Sequence, residues 1–528
     1  MTRPGFVLEV DRSTPPILFH RGEGFSLERL PVGSRVIYPP EPARALPDPE
    51  GAVRHALLHP LGASDPLPAR LRPGMRLTIA FDDISLPLPP MRAPDNRQRV
   101  IEAVLDLAAA AGVDDVELIA ATAVHRRMTD AELRHAVGKR VFDAFNPHGL
   151  IYNHDAEDPD GMELIGYTDE GERVEINKRA ATSDLLVYVN INLVAMDGGH
   201  KSVATGLAGY PSLRHHHNVR TMQHSRSFMD QHRSALHASN WRMGRLLARD
   251  GPPIFQIETT LNNDTFPKPF DFLQRREWEW SARDRAAYLA AASGLERIPR
   301  KAARQIFQRI VSPHAMSSVQ AGEVEAVHAA TTETIYATQL VPVSGQTDIL
   351  TMGLPYICPY NVNSIMNPIL VMCLGLGYFF NLYRGKPLVR PGGVVIMSHP
   401  TPWEFHPVHH PSYLDFFEQV LTETTDPAEI EAKFEEDFAT DPWYIHLYRK
   451  SYAYHGVHPF YMWYWGAHAL EHLGGVIVVG GDPGAVRRMG FKPASTLADA
   501  LEMAEDVVGR HPTITHLHAP PLLMADVT

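Results

Sequence analysis

Apolar positions along this chain come in short blocks separated by helical stretches. The run LTIAF at 77–81 is brief and wholly apolar, and Asp82 and Asp83 stop it, so it predicts a buried strand. From 97 to 111 the apolar residues fall at Val100, Ile101, Val104, Leu105 and Ala108, which is helical spacing, and Gly112 supplies the stop. VELIAA at 116–121 predicts the next strand. Thr129 and Glu132 have the capping-box spacing and open a helix just after His125. DLLVYVNI at 184–191 predicts another buried strand.

The second half repeats this rhythm. Strands are predicted at 347–353, 392–399 and 474–481, and helices at 368–380, 412–421, 427–438 and 496–508. Strands alternating with helices predict an α/β fold of two domains with mostly parallel sheets, the active site in the cleft between them. Ligands of such sheets bind beyond the carboxyl ends of strands. The proline-rich first 75 residues read as short strands and loops that wrap the body. The expected division is 1–265 for an N-terminal α/β domain including that wrap, 266–320 for a helical, basic insertion, and 321–528 for a C-terminal α/β domain.

Composition narrows the class. With 44% hydrophobic and 21% charged residues the chain is globular, and a prior of roughly 150 residues per domain allows two to four domains in 528 residues. A net charge of −12 gives no reason to expect nucleic acid. No apolar run reaches about 18 residues and no signal pattern opens the chain, so no membrane partner is expected and the cytoplasm is the default location. Two cysteines exclude a disulfide framework and a cysteine-based zinc site, whereas 28 histidines make imidazole the expected donor for any transition metal.

Five groups could carry chemistry. Asp82 and Asp83 at a strand end could bind a hydroxyl or orient a base, or simply cap a loop. His125 at the next strand end is placed as a general base, or is structural. Gly198, Gly199, Lys201 and Ser202 form a glycine turn with a cation, but not a Walker A loop. His215, His216 and His217 offer a metal ligand or a polar turn. Glu404, His406, His409 and His410 could make a hydrolase-type metal site, though at no recognised zinc spacing.

Taken in order, these stretches resemble the nickel-pincer-nucleotide-dependent lactate racemase family. The resemblance covers roughly 70–265 and 320–523 and rests on DDISLPLP, ATAVHRRMTDAE, YNHDAED, EINKRAATSDLLVYV, GGHKSVATGLAGYPSLRHHHN and DPGAVRRMGFKPASTLADALEMA. It implies a racemase or epimerase of a 2-hydroxy acid or sugar acid, working by hydride transfer to a nickel-pincer nucleotide, the nickel complex of pyridinium-3,5-bisthiocarboxylic acid mononucleotide. It implies Lys201 as the cofactor anchor, with Gly198, Gly199, Ser202 and Asp83 around the cofactor, His217 as nickel ligand and His125 as a catalytic base. It also implies the cofactor-building enzymes as partners, beside a small hydroxy-acid substrate. The chain departs from the family at three places. The second catalytic histidine is Ile191, for which His200 is the expected substitute. The loop arginine is Leu86, leaving Arg92 or Arg126 to take the substrate carboxylate. The substrate segment is unrecognisable in 355–368, where Tyr356, Tyr360, Asn361 and Asn363 suggest a polyhydroxylated or bulkier acid than lactate. The alternatives are a degenerate nucleotide-binding paralogue without racemase activity and a metal-dependent hydrolase built on 404–410.

Overall fold

The apolar blocks become the centres of two sheets in the computed structural model, which describes residues 3–528. Six strands form the first, in the order Met316–Gly322, Ile254–Leu261, Leu185–Asn192, Arg76–Asp82, Asp115–Ala121 and Ile151–Asn153. All pairs are parallel except the edge strand Met316–Gly322. Leu185–Asn192 is buried at every position, as a central parallel strand covered on both faces must be. The predicted helices follow as Asn96–Ala110 and Asp130–Phe145, the latter with its Thr129–Glu132 capping box.

The second sheet has nine strands around Thr347–Pro355, Val389–Ser398 and Gly475–Val479, again mostly parallel. Its membership shifts the expected division of the chain. Phe6–Glu9 and Arg35–Tyr38 form one edge, and Ile17–Gly22 pairs with Thr347–Pro355, so the N-terminal wrap completes the C-terminal sheet. Conversely, Met316–Gly322, at the boundary of the expected insertion, pairs with Ile254–Leu261 in the first sheet. Sheet edges are completed by whichever strand can satisfy their hydrogen bonds, and nothing restricts that strand to its neighbours in sequence.

The rest of 266–320 is largely helical, with Ala282–Arg297 and Arg300–Gln308. It is clasped to the body: Arg304 reaches Glu23 at 2.7 Å and pairs with Glu404, and Gln308 bonds the Ser364 carbonyl. One apolar cluster joins the two halves, placing Val124, Val194 and Met196 with Leu374, Phe379 and Trp465. No helix among the described residues is long and apolar enough to cross a membrane.

Candidate active site

Three strands of the first sheet end side by side, and the loops leaving them meet at one cavity of about 200 Å³. It is lined by His125, Lys201 and His217 together with Asp197, Tyr360, Tyr378, Trp465 and a large apolar wall.

The strand Arg76–Asp82 delivers two carboxylates with different tasks. Asp83 accepts from the Ser85 amide at 2.9 Å and lies 2.8 Å from Nδ1 of His125. Burial raises its pKa, but the His125 imidazole and the Ser85 donors outweigh that and hold it below the ordinary carboxylate value. Pairing Nδ1–H with a carboxylate leaves the His125 lone pair on Nε2. Arg97, itself bridged to Asp95 at 2.8 Å, holds the loop by donating to the Asp82 and Asp83 carbonyls. Asp83 is therefore a positioning residue for His125. Asp82 turns inward instead, accepting from the Ile191 amide at 2.7 Å and from Asn190, and burial lifts its pKa to about 7.

Lys201 follows a turn that needs its glycines. Gly198 and Gly199 sit at φ +85° and +64°, in the left-handed region that favours glycine. A Cβ at Gly199 would lie 2.6 Å from the His328 ring. The buried Glu258 carboxylate anchors the turn, accepting from the Gly199 amide at 2.7 Å and from His328 Nδ1 at 3.2 Å. Asp197 braces the preceding loop through the Leu193 and Val194 amides, at 2.9 and 3.0 Å. Among the described residues no carboxylate lies within ion-pair distance of the Lys201 Nζ. Burial lowers its pKa against the more distant pull of Asp197 and Asp82, which raises the share of neutral, nucleophilic amine.

The three neighbouring histidines separate. His217 lines the cavity, its ring 5.3 Å from Trp465 and 5.0 Å from Tyr461, and its Nδ1 is buried without a partner. Burial, then the nearby His216, Lys201 and His125, hold it well below the usual imidazole pKa, leaving it neutral. His216 is buried and faces Thr205 at 3.2 Å, while His215 is only partly covered.

Other expected residues point elsewhere. His200 turns away from the cavity: its Nε2 meets Glu325 at 3.2 Å and its ring packs on Trp241 and under Gly244. Consecutive residues entering a helix face different directions, so Lys201 and His200 cannot share the cavity. Ser202 bonds Asn190 at 2.9 Å behind the strand end. Asn361 accepts from the Cys358 amide, Asn363 donates to Glu132, and Tyr356 donates to the Ser364 carbonyl, so of that set only Tyr360 reaches the cavity. Arg126 is committed to Glu132 at 2.8 Å, and Arg92 lines a separate cleft. In the 404–410 cluster the His406 and His409 rings stack at 3.9 Å, but Glu404 is turned to Arg304, His409 to Ser364 at 2.9 Å and His410 to Asn367 at 3.2 Å. Among the described residues no group of three or more His, Cys, Asp or Glu side chains is placed to hold a metal ion.

Tyr378 and Trp465 were not singled out in the sequence. Tyr378 is the single hydroxyl near the end of the apolar run at 368–380, and its oxygen lies 2.9 Å from that of Tyr360. One phenol donates to the other, so the pair keeps one O–H unspent.

The fold and the strand-end loops define an α/β protein whose sheet-end cavity collects a carboxylate-held histidine, a half-buried lysine and a neutral histidine. Residues 24–230 match the family model for the lactate racemase N-terminal domain. Over 107 residues the chain is 32% identical to the lactate racemase of Thermoanaerobacterium thermosaccharolyticum, covering 20% of this chain and 24% of that one. Over 172 residues it is 29% identical to the lactate racemase of Lactiplantibacillus plantarum, covering 31% of this chain and 38% of that one. These alignments span well under half the length of either relative. The fold matches the lactate racemase apoprotein of T. thermosaccharolyticum with a TM-score of 0.63 at 18% identity, over 97% of this chain and 99% of that one. Residues 24–230 thus resemble the N-terminal domain of lactate racemases, and the chain as a whole shares the fold of the solved apoprotein.

Proposed function

We propose that this chain is a 2-hydroxy-acid racemase or epimerase that works with a nickel-pincer nucleotide. The observation that carries the reading is the meeting of His125, Lys201 and His217 on one cavity, from three separate loops. The residues fit the group. Lys201 offers a half-buried amine without an ion pair, its pKa lowered by desolvation, able to act as a nucleophile toward an activated carbonyl or thiocarbonyl carbon. His217 offers a neutral imidazole, and a single histidine needs further donors from the cofactor, since Cys358 and Cys373 are both buried and neither lines the cavity. When bound, the group supplies nickel and a carbon centre that exchanges hydride with C2 of the substrate.

The chain's own residues do the rest. His125 Nε2 takes the hydroxyl proton of the substrate and returns it, while Asp83 fixes the ring and stabilises the imidazolium. No guanidinium lines the cavity, so the unspent O–H of the Tyr360–Tyr378 pair is the neutral donor available to the carboxylate. The apolar wall excludes water from the reacting centre. Ile191 is fully buried among Met91, Leu193 and Leu261, and His200 faces away, so His125 is the single base.

Co-expression with the cofactor-building enzymes tests this reading. One nickel per chain, a mass adduct lost in Lys201→Ala, and interconversion of hydroxy-acid enantiomers or epimers are expected. Zinc without nickel, or an adduct that survives Lys201→Ala, would overturn it. The absence of a histidine at Ile191 favours a second reading, a nucleotide-binding paralogue without racemase chemistry. Stoichiometric adduct with no turnover of any hydroxy acid would select it.

A further inference from the structure

The polar groups of the cavity are nearly all accounted for. His125, Lys201 and His217 belong to the reaction centre proposed above, and Asp197 braces its own loop through the Leu193 and Val194 amides. All but one of the hydroxyl donors of the lining, the spare O–H of the Tyr360–Tyr378 pair, are engaged within the protein. Ser85 donates to Asp83 at 2.5 Å, Thr205 to Asn240 at 3.1 Å and Thr265 to the Asn263 carbonyl at 3.3 Å, and Tyr360 and Tyr378 share one hydrogen bond. The remaining wall is apolar and comes from several segments, Leu193, Val194, Met196, Met229 and Trp465 among them. Leu86 and Leu88 stand on the loop that carries Asp83, Ile357 precedes Tyr360, Leu374 and Leu382 flank Tyr378, and Leu522 closes the C-terminal side.

Such a wall discriminates by chemistry. The several hydroxyls of a sugar acid would lose water there and find few partners, a cost paid for every unpaired group. A hydrocarbon substituent gains instead, by about four-fold in affinity for each methylene removed from water. An apolar cavity of roughly 150 Å³ already accommodates a benzene ring, and this one has about 200 Å³. Lactate, with a single methyl on C2, would leave most of the wall uncovered.

We infer that the substrate is a 2-hydroxy acid with a bulky hydrocarbon side chain, branched or aromatic, bound with that side chain against the Leu86–Leu88–Leu374–Leu382 wall. This inference rests on the proposed function for the placement of the carboxylate and hydroxyl, and it reverses the polyhydroxylated acid expected from the residues at 356–363.

The test is a ranking of affinities by calorimetry, on the protein both with and without cofactor. The ligands are 3-phenyllactate, 2-hydroxy-4-methylpentanoate, lactate and gluconate. The first two are expected to bind at least about ten-fold more tightly than lactate, with gluconate no better than lactate. Leu88→Asn, on a half-buried loop position, should weaken phenyllactate by about ten-fold and lactate by less than about two-fold. Equal or inverted affinities, binding by none of the acids, or a Leu88→Asn effect that is the same for both ligands would overturn the inference. Because the ranking needs neither turnover nor nickel, a protein that ranks the acids as expected but carries no Lys201 adduct would refute the cofactor reading alone. An adduct with gluconate as the tightest ligand would refute the substrate inference alone.

Discussion

The two walls of the cavity are built by different rules. One comes from loops at the carboxyl ends of the first sheet, where Asp83 holds His125, Glu258 holds the Gly199 turn and Asp197 braces the loop before Lys201. The other comes largely from 355–382 and 520–522 and offers chiefly carbon. Residues 24–230, which the family model matches, hold His125, Asp197, Lys201 and His217, and they share the apolar lining, through Leu86, Leu88, Leu193, Val194, Met196 and Met229, with the segments at 355–382 and 520–522. The contrast separates chemistry from selectivity. The polar wall tolerates few substitutions because His125 and the turn before Lys201 are held by other buried groups, while the apolar wall can be rewritten by exchanging one hydrocarbon for another.

The largest effect should come from the anchors of the polar wall. Lys201→Ala should remove any covalent adduct and all turnover, and His217→Ala should strip the nickel, with both proteins still folded by circular dichroism. Either variant retaining wild-type nickel and rate would dissolve the polar wall as a reaction centre. Next is His125→Ala, expected to cost about 10²- to 10⁴-fold in rate in both reaction directions, as loss of a positioned acid–base group does. Asp83→Asn should follow in the same direction with a smaller loss, because it removes the orienting charge but not the base. A rate unchanged in one direction only would show that a second base exists.

How far each wall was legible follows from its rules. That His125, Lys201 and His217 fall on one cavity is legible in the order of a strand-end histidine, a glycine turn and a later histidine along the chain. Most central strands were legible too, being short and wholly apolar. The strand Ile254–Leu261 was not, because Gln256, Glu258, Thr259 and Thr260 give it the look of a loop. Those residues are buried for a reason visible only in three dimensions, since Glu258 secures the Gly199 amide and Gln256 bonds Asn190 and Ser202. The N-terminal strands were assigned to the wrong half because edge pairing over hundreds of residues has no local pattern. His200 was misplaced because adjacency in sequence says nothing about which way a side chain leaves a helix start. The apolar wall was invisible because its leucines look like any core.

The buried acids beneath the polar wall give a pH signature. Asp82 has its pKa raised to about 7 by burial, from an ordinary 3.8. A raised carboxylate pKa contributes stability that is present in full below the unfolded value and is lost as pH rises through the folded one. Stability measured by urea denaturation should therefore carry a component that declines between about pH 4 and 7, on the order of a few kcal/mol. Asp82→Asn should flatten that component; parallel profiles for the two proteins would show that Asp82 is ionised throughout. Glu258→Gln should cost about 1–3 kcal/mol by leaving donors of the buried turn poorly matched. It should also lower adduct formation at Lys201 without changing the binding of phenyllactate, since the apolar wall does not rest on that turn.

The smallest effect is expected at His200, and it is the sharpest divider between sequence adjacency and geometry. His200 sits beside Lys201 in the chain, yet its ring lies against Trp241 and Gly244 and its Nε2 faces Glu325. Burial lowers its pKa, while Glu325 only partly restores it. Glu325 is 33% exposed and also pairs with Arg245 at 3.1 Å, so water and a second cation already share its charge. The ion pair itself should therefore contribute no more than about 0.5–1 kcal/mol, the range of a partly exposed pair. His200→Gln keeps a hydrogen-bonding side chain toward Glu325 but cannot exchange a proton at neutral pH. If His125 is the single base, His200→Gln should leave the rate within about three-fold of the parent for both enantiomers, well under the loss that follows removal of a general base. A loss of about 10²-fold for one enantiomer alone would make His200 the partner of His125 and would require the Gly198–Lys201 turn to rearrange on binding, bringing the side chain round from the Trp241 face into the cavity.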